Sequence, residues 1–272
     1  MKRFLALLAA VLLTAATGFA QTFPFEGVFG QGDPVITEDS YLSPNISIKI
    51  NTGRAYDADY YAAEVYLRDL ASLRHGFGNG KWQGGQQRMP ALAQDLGAVL
   101  AVTGDNAHNF KVGLVFANGE MLRGTTNNLR DVGVIYSDGV MDVLPGRDLT
   151  KDDLAALGDP WQTFLFGPGL MTGEGEPIKE TNSQVRGKNP RTAIGYIEPG
   201  HYMLVVVDGR SSKNRGMTML ELALLMYDLG CSEAYNLDGG QSAMMWFNGK
   251  IVNEPYKDGR RIADAYYITE PR

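Results

Sequence analysis

Two short apolar runs, each stopped by Asp-Gly and joined through a helical segment, constrain this chain more than any other stretch. The first is Met203-Leu204-Val205-Val206-Val207, which ends in Asp208-Gly209-Arg210. The second, Ala234-Tyr235-Asn236-Leu237, runs into Asp238-Gly239-Gly240-Gln241-Ser242. Between them, Thr218-x-x-Glu221 has the form of a capping box. Leu222, Leu225, Met226 and Leu229 recur at helical spacing, and Gly230 suits the residue after a helix end. Leu220, Ala223 and Leu224 carry apolar character round the helix, so it reads as buried on most sides. Strand, helix and strand together read as a βαβ crossover, with both aspartates at the carboxyl ends of neighbouring parallel strands. Open α/β sheets place ligands at such ends. The chemistry is therefore expected within residues 189–248.

Upstream, the pattern is one of strands and tight turns. Residues 45–50 alternate as a strand, with Asn51-Thr52-Gly53 as the expected turn, and residues 60–70 lean to strand. Residues 74–88 read as a surface loop rich in Gly and Gln. Its Trp82 is read first as a hydrophobic plug and second as a sugar platform. Residues 89–96 form a short helix with Pro90 in the first turn and Gly97 as its stop. Residues 98–102 are a buried strand ending in Thr103-Gly104-Asp105-Asn106. Asn118-Gly119 and Asp138-Gly139 each sit between apolar runs and predict hairpins. Residues 149–157 are a helix capped by Thr150. The fold class that follows is α/β, with α+β as the alternative: a mixed twisted sheet with a βαβ unit near the C-terminus, plus β-hairpins. No repeat or linker divides the chain, so residues 21–272 read as one domain.

Residues 1–20 read as a signal peptide: Lys2 and Arg3, an apolar run over residues 4–13, and Gly18-Phe19-Ala20 as a small-x-small cleavage site before Gln21. The apolar run is short for a membrane span, and no later stretch is long enough. A secreted or periplasmic location is expected. The mature chain has one cysteine, Cys231, read as a buried inert thiol. The formal charge of −6 argues against nucleic acid as a partner.

Asp208, Asp238 and Asp105 each close a strand, and three carboxylates there can orient a sugar, activate water or hold a cation. Asp238 and Asp208 are the catalytic candidates. Glu221 is a reserve whose plainer role is the helix cap. Arg191, in Asn189-Pro190-Arg191-Thr192, reads as an anion ligand, because guanidinium grips phosphate through two bonds. Arg210 reads equally as an anion ligand or as an ion-pair partner of a nearby aspartate. Gly239 and Gly240 let backbone approach a ligand, and Ser242 can donate to it. Ser242 lacks a nucleophile elbow. The three histidines show no zinc spacing, and there is no Walker or dinucleotide loop.

The segments Asn189-Pro-Arg-Thr-Ala-Ile-Gly195, Asp208-Gly-Arg210, Gly216-Met-Thr-Met-Leu-Glu-Leu-Ala223 and Asn236-Leu-Asp-Gly-Gly-Gln-Ser242 resemble successive motifs of the phosphodiester glycosidase family. Residues 59–69, 98–105 and 113–123 resemble its upstream blocks, and Arg260-Arg261-Ile262-Ala263-Asp264-Ala265 its closing motif. Three departures stand out: Thr103-Gly104-Asp105-Asn106-Ala107-His108 in place of Asn-Gly with acidic and aromatic residues, Gln241 for a Gly, and Arg261 for a Pro.

The resemblance implies a secreted hydrolase that cleaves the glycosidic bond of a sugar-1-phosphodiester. By their place in these motifs, Arg191, Thr192, Arg210, Asp105, Asn236, Gly239, Gly240 and Ser242 would contact substrate. The partner would be a phosphorylated carbohydrate or a cell-envelope glycopolymer. The residues require no cofactor, and a divalent cation is an option. Two alternatives stand beside this reading. One is a non-catalytic carbohydrate-binding or exopolysaccharide-assembly factor. The other is a metal-dependent phosphodiesterase with Asp105, Asp208 and Asp238 as oxygen ligands.

Overall fold

The computed structural model describes residues 21–125, 129–181 and 183–271. The expected signal peptide lies outside the described residues. Two antiparallel sheets dominate what is described. The larger runs in the order β1 (Val35–Ile36), β2 (Ser40–Leu42), β3 (Ile46–Ala55), β4 (Ala58–Leu67), β13 (His201–Val207), β12 (Arg191–Glu198), β14 (Glu233–Asn236). The other runs β16 (Lys250–Ile251), β15 (Met245–Phe247), β6 (Leu100–Thr103), β17 (Asp264–Ile268), β5 (Leu73–Phe77). A smaller sheet, β10 (Met141–Leu144), β9 (Val132–Tyr136), β11 (Pro160–Phe164), and a ribbon of β7 (Gly113–Ala117) with β8 (Glu120–Thr125) complete the strands. Both predicted hairpins, at Asn118-Gly119 and Asp138-Gly139, are present here.

Alternation along the strands decides how the sheets stack. Ile46, Ile48 and Ile50 of β3, Val65 of β4, and Leu204 and Val206 of β13 point one way. They pack against Leu100 and Val102 of β6, Met245 and Phe247 of β15, and Tyr266 and Ile268 of β17. The opposite face of the large sheet, with Ala62, Ala193, Met203, Val205 and Val207, is covered by α3 (Met219–Asp228) through Met219, Leu222, Ala223 and Met226. The outer face of the second sheet, with Ala101, Trp246 and Tyr267, is covered by α1 (Met89–Leu96). Four layers result, helix–sheet–sheet–helix. The third helix, α2 (Lys151–Leu157), is capped by Thr150 and places Leu154 against β9. Strand β13 is buried at every position because both of its faces are covered.

Among the described residues every strand pairing is antiparallel. The chain is therefore α+β, the second form of the expectation. The strand–helix–strand unit β13–α3–β14 exists, but its strands are not neighbours, because β12 pairs with both. The reason is local. β12 and β13 are joined by the tight turn Pro199-Gly200, so they pair as a hairpin and β14 must take the free side of β12. The turn expected at Asn51-Thr52-Gly53 is also displaced. β3 continues to Ala55, and the reversal is made by Tyr56 and Asp57, both with positive φ.

Candidate functional site

At one end of the large sheet, β13 runs out into Asp208, β14 into Asp238, and β12 starts between them at Arg191. The register Arg191↔Val207 and Ala193↔Asn236 places these three chain ends in a row. Backbone bonds hold the row: Leu237 N donates to Thr192 O at 2.8 Å, and Gly240 N to Pro190 O at 2.9 Å. A Cβ on Gly239 would stand 2.7 Å from the Pro190 carbonyl oxygen, so only glycine lets the turn lie this close.

Asp238 is buried, and its Oδ2 accepts a 2.8 Å bond from Nη2 of Arg260. Nε of the same arginine donates to Ser242 Oγ at 2.5 Å. On the other flank, Arg210 donates from Nε and Nη2 to Asn189 Oδ1 and lies over the Tyr256 ring at 5.4 Å. A Cβ on Gly240 would meet that guanidinium at 3.1 Å. Two guanidinium groups thus flank the Asp238–Gly240 turn, and both reach solvent.

Asp208 is placed differently. Its Oδ1 accepts from Asn253 Nδ2 at 2.9 Å, and its two oxygens accept from the Glu254 N–H at 3.2 and 3.1 Å. Burial raises its pKa despite these bonds. Asp208 therefore fastens the segment after β16 to the sheet. Arg191, expected to contact an anion, is 3% exposed and donates to the carbonyls of Met217, Val185 and Gly187. Burial first, then the nearby Arg210, lowers its pKa to about 10. Nε holds the strand-like segment at Met217 and Nη2 the loop before Arg191, so these two nitrogens clamp the two segments together. Glu221 closes the α3 capping box by accepting from Thr218 N at 2.8 Å, and lies 3.2 Å from Lys188. Burial works against its charge, but these partners outweigh it and hold its pKa low. Thr192, Asn236 and Ser242 are buried beneath the turn, and Asn236 Nδ2 donates to Gly167 O at 2.7 Å.

Asp105, expected to contact substrate, is instead fully buried one step further in, at 0% exposed. Its Oδ2 accepts from Leu165 N at 2.7 Å and its Oδ1 from Ala107 N at 3.2 Å. Beside it, Asp264 of β17 accepts from Asn106 N at 3.1 Å and pairs with His75 Nε2 of β5 at 2.8 Å. Burial is the main cause that pushes the pKa of Asp105 up to about 7 and that of Asp264 to about 6, and it lowers that of His75 to about 4. Asp105, Asp208 and Asp238 do not converge as a ligand set. Among the described residues the ligand atoms that lie within 4.8 Å of one another are those of His75, Asp105 and Asp264. Every carboxylate oxygen of this trio already has an N–H partner. That is the pattern of a hydrogen-bonded cluster.

From residue 96 to residue 269 the chain matches the phosphodiester glycosidase family. It belongs to that family. Among relatives, a prophage-derived uncharacterized protein of Bacillus subtilis, YomE, is 32% identical over 142 residues, covering 51% of this chain and 22% of that protein. The bovine N-acetylglucosamine-1-phosphodiester alpha-N-acetylglucosaminidase is 33% identical over 110 residues, 36% of this chain and 21% of the enzyme. The matched stretches thus span about a fifth of these curated relatives' length. Among solved structures, the catalytic domain of the zebrafish enzyme of the same name, auto-inhibited by its pro-peptide, shares the fold at a TM-score of 0.66 and 22% identity, with 83% of each chain covered. A hypothetical protein from Synechocystis shares it at 0.63 and 13% identity, over 83% of this chain and 62% of that one.

In this member of the family, the three departures from the family pattern have structural uses. Gln241 donates to Gly259 O at 3.2 Å and its carbonyl accepts from Arg260 N, so it steadies the arginine that holds Asp238. Arg261 donates to Gln86 O and ties down the 78–88 loop. Thr103 Oγ1 donates to Ser242 O, which joins β6 to the Asp238 turn. Arg260, Asp264, His75 and Asn253 were not among the expected site residues. Arg260 and Asp264 stand in the closing motif, a signal that named their segment without a role. His75 and Asn253 leave no sequence signal of comparable kind.

Proposed function

We propose that this chain is a hydrolase that cleaves a sugar-1-phosphodiester at its glycosidic C–O bond, giving free sugar and a phosphomonoester. The observation that carries the reading is the pair of guanidiniums, Arg210 and Arg260, on either side of the Asp238–Gly240 turn. A departing phosphate already leaves well, so neutralising its charge matters more than protonating it, and fixed guanidiniums do this in place. Asp238 is the carboxylate between them. It acts as base toward water or as nucleophile at the anomeric carbon. Family membership supports the reaction class. A cell-envelope glycopolymer fits the signal-like residues 1–20, which point to export and to a mature chain starting at Gln21. N-terminal sequencing of the exported protein checks that start.

The deciding experiment is turnover of a sugar-1-phosphodiester in oxygen-18 water, followed by phosphorus NMR and mass spectrometry. The label is expected in the sugar. Label in the phosphate would instead mean attack at phosphorus, the phosphodiesterase reading. No turnover by wild type across a broad panel would leave a carbohydrate-binding role.

A further inference from the structure

Beneath Asp238, two carboxylates and an imidazole are packed where water does not reach: Asp105 is 0% exposed, Asp264 2% and His75 2%. Among the described residues no Lys or Arg reaches either carboxylate within ion-pair distance. Two charged carboxylates with oxygens within 4.8 Å of each other, out of water and without a cation, are mutually unstable, so one of them must carry a proton. The hydrogen bonds say which. Asp264 has donor partners suited to a full charge, the His75 imidazole at 2.8 Å and the Asn106 N–H at 3.1 Å. Asp105 accepts from backbone N–H groups alone, Leu165 N at 2.7 Å and Ala107 N at 3.2 Å, with no imidazole to hold a charge. A hydroxyl on Asp105 donating to Asp264 completes both.

The groups around the pair are Arg123 of β8 and His108 beyond the turn, Asp238, and the phenols of Tyr235 and Tyr266. His75 stacks on Tyr266, ring centroids 4.3 Å apart, which fixes the imidazole edge toward Asp264. The cluster is wired to the turn above it. Asp238 N donates to Gly104 O at 3.1 Å, and Gly104 N donates to Asp264 O at 3.0 Å. Asp105 also holds Leu165, whose neighbours Gly167 and Pro168 accept from Asn236.

We propose that Asp105 and Asp264 share a single proton, and that this proton latches the turn of residues 104–107 to β17 and so positions Asp238. Asp105, Asp264 and His75 are positioning residues that never touch substrate. Loss of the proton sets two like charges against each other and loosens the segment that carries the Asp238 N–H bond. The proposal rests on the reading of Asp238 as the working carboxylate. Its test has an arm that does not.

In the full mature chain with carbon-13-labelled aspartate carboxyls, one buried resonance is expected to stay protonated far above the ordinary aspartate range and to vanish in Asp105→Asn. That variant keeps a donor toward Asp264 and the acceptor for Leu165 N, and gives up only the 3.2 Å bond from Ala107 N. Its turnover is therefore expected within about threefold of wild type at mildly acidic pH, with the alkaline loss of kcat moved up by about one pH unit or more. Asp105→Ala, which cannot bridge, is expected to lose about tenfold or more in kcat with a smaller change in KM. A purely structural role would lower the unfolding midpoint but leave the alkaline limb of Asp105→Asn where it was, and that result overturns the proposal. So does ordinary titration of both carboxyls, or one tightly held metal ion per chain by elemental analysis. If no substrate turns over, the labelled-carboxyl titration still decides whether the proton is there.

Discussion

At the scale of single residues, the site separates groups that look alike in sequence. Asp208 and Asp238 both end a strand and precede glycine, yet one fastens Asn253 and Glu254 while the other meets an exposed arginine. Asp238→Asn is expected to lower kcat by about 10²–10⁴-fold while the unfolding midpoint barely moves. Equal turnover would remove Asp238 from the chemistry. Arg210→Ala is expected to cost roughly 10–100-fold in kcat/KM, and Arg210→Lys to restore little of it, because an ammonium lacks the planar fork. Steady-state kinetics on one phosphodiester check both. Arg191→Ala should act mainly on stability, since Nε and Nη2 hold backbone carbonyls and a buried clamp is lost. The sequence places these residues at one sheet end. It does not show which way each side chain turns, because that depends on partners some tens of residues away. Asn253 for Asp208 and Arg260 for Asp238 come from segments with no periodic signal.

At the scale of elements, local chemistry was legible and pairing was not. The Thr150 cap of α2, the capping box of α3, the stop at Gly97 and the two Asx-Gly hairpins all follow from residue types within a few positions. The insertion of β12 between β13 and β14 does not, because the apolar runs carry no record of which strand lies beside which. Tyr56-Asp57 was likewise hidden: a tyrosine rarely takes positive φ and no glycine marks the turn, whereas Asn51-Thr52-Gly53 looked more like one. The α3 layer gives two stability predictions. Thr218→Ala removes the cap acceptor for Glu221 N and is expected to cost about 1 kcal/mol in urea unfolding. Glu221→Gln should leave kcat within about threefold, because the glutamate serves the helix end. A loss of a hundredfold would reinstate it as a catalytic group. Gly195→Ala would drive a methyl to 2.4 Å from Cys231 Sγ and 2.6 Å from Met226 Cε, at an expected cost of about 1–3 kcal/mol. Cys231→Ala in the same chain should recover part of that loss.

At the scale of the whole molecule, the four layers bury carboxyl groups in numbers that set how stability follows pH. Burial raises the pKa of Asp105 and Glu233 to about 7 and of Asp264 to about 6, and it also raises Asp142 and Asp208. A carboxyl raised in this way binds its proton more tightly folded than unfolded. Its contribution is complete below the unfolded value near 4 and is lost as pH rises through the folded one. His75, lowered to about 4 by burial, works the other way: its contribution is present above the unfolded value of 6.5 and is lost as pH falls. His201 is lowered as well, again chiefly by burial. Asp59, held at about 2 by Lys213 and Arg54, loses its contribution only in strong acid. Four protons on raised carboxyls, one of them shared by Asp105 and Asp264, oppose two lowered imidazoles across the range between. Folding stability is therefore expected to fall as pH rises from about 5 to about 7 and then to level off. Urea midpoints at fixed ionic strength measure it. Asp105→Asn and Glu233→Gln should each flatten the slope, since an amide holds the same position without a proton to lose. A wild-type midpoint that climbed steadily over this interval would mean that the imidazoles, or carboxylates at the surface, outweigh the buried acids.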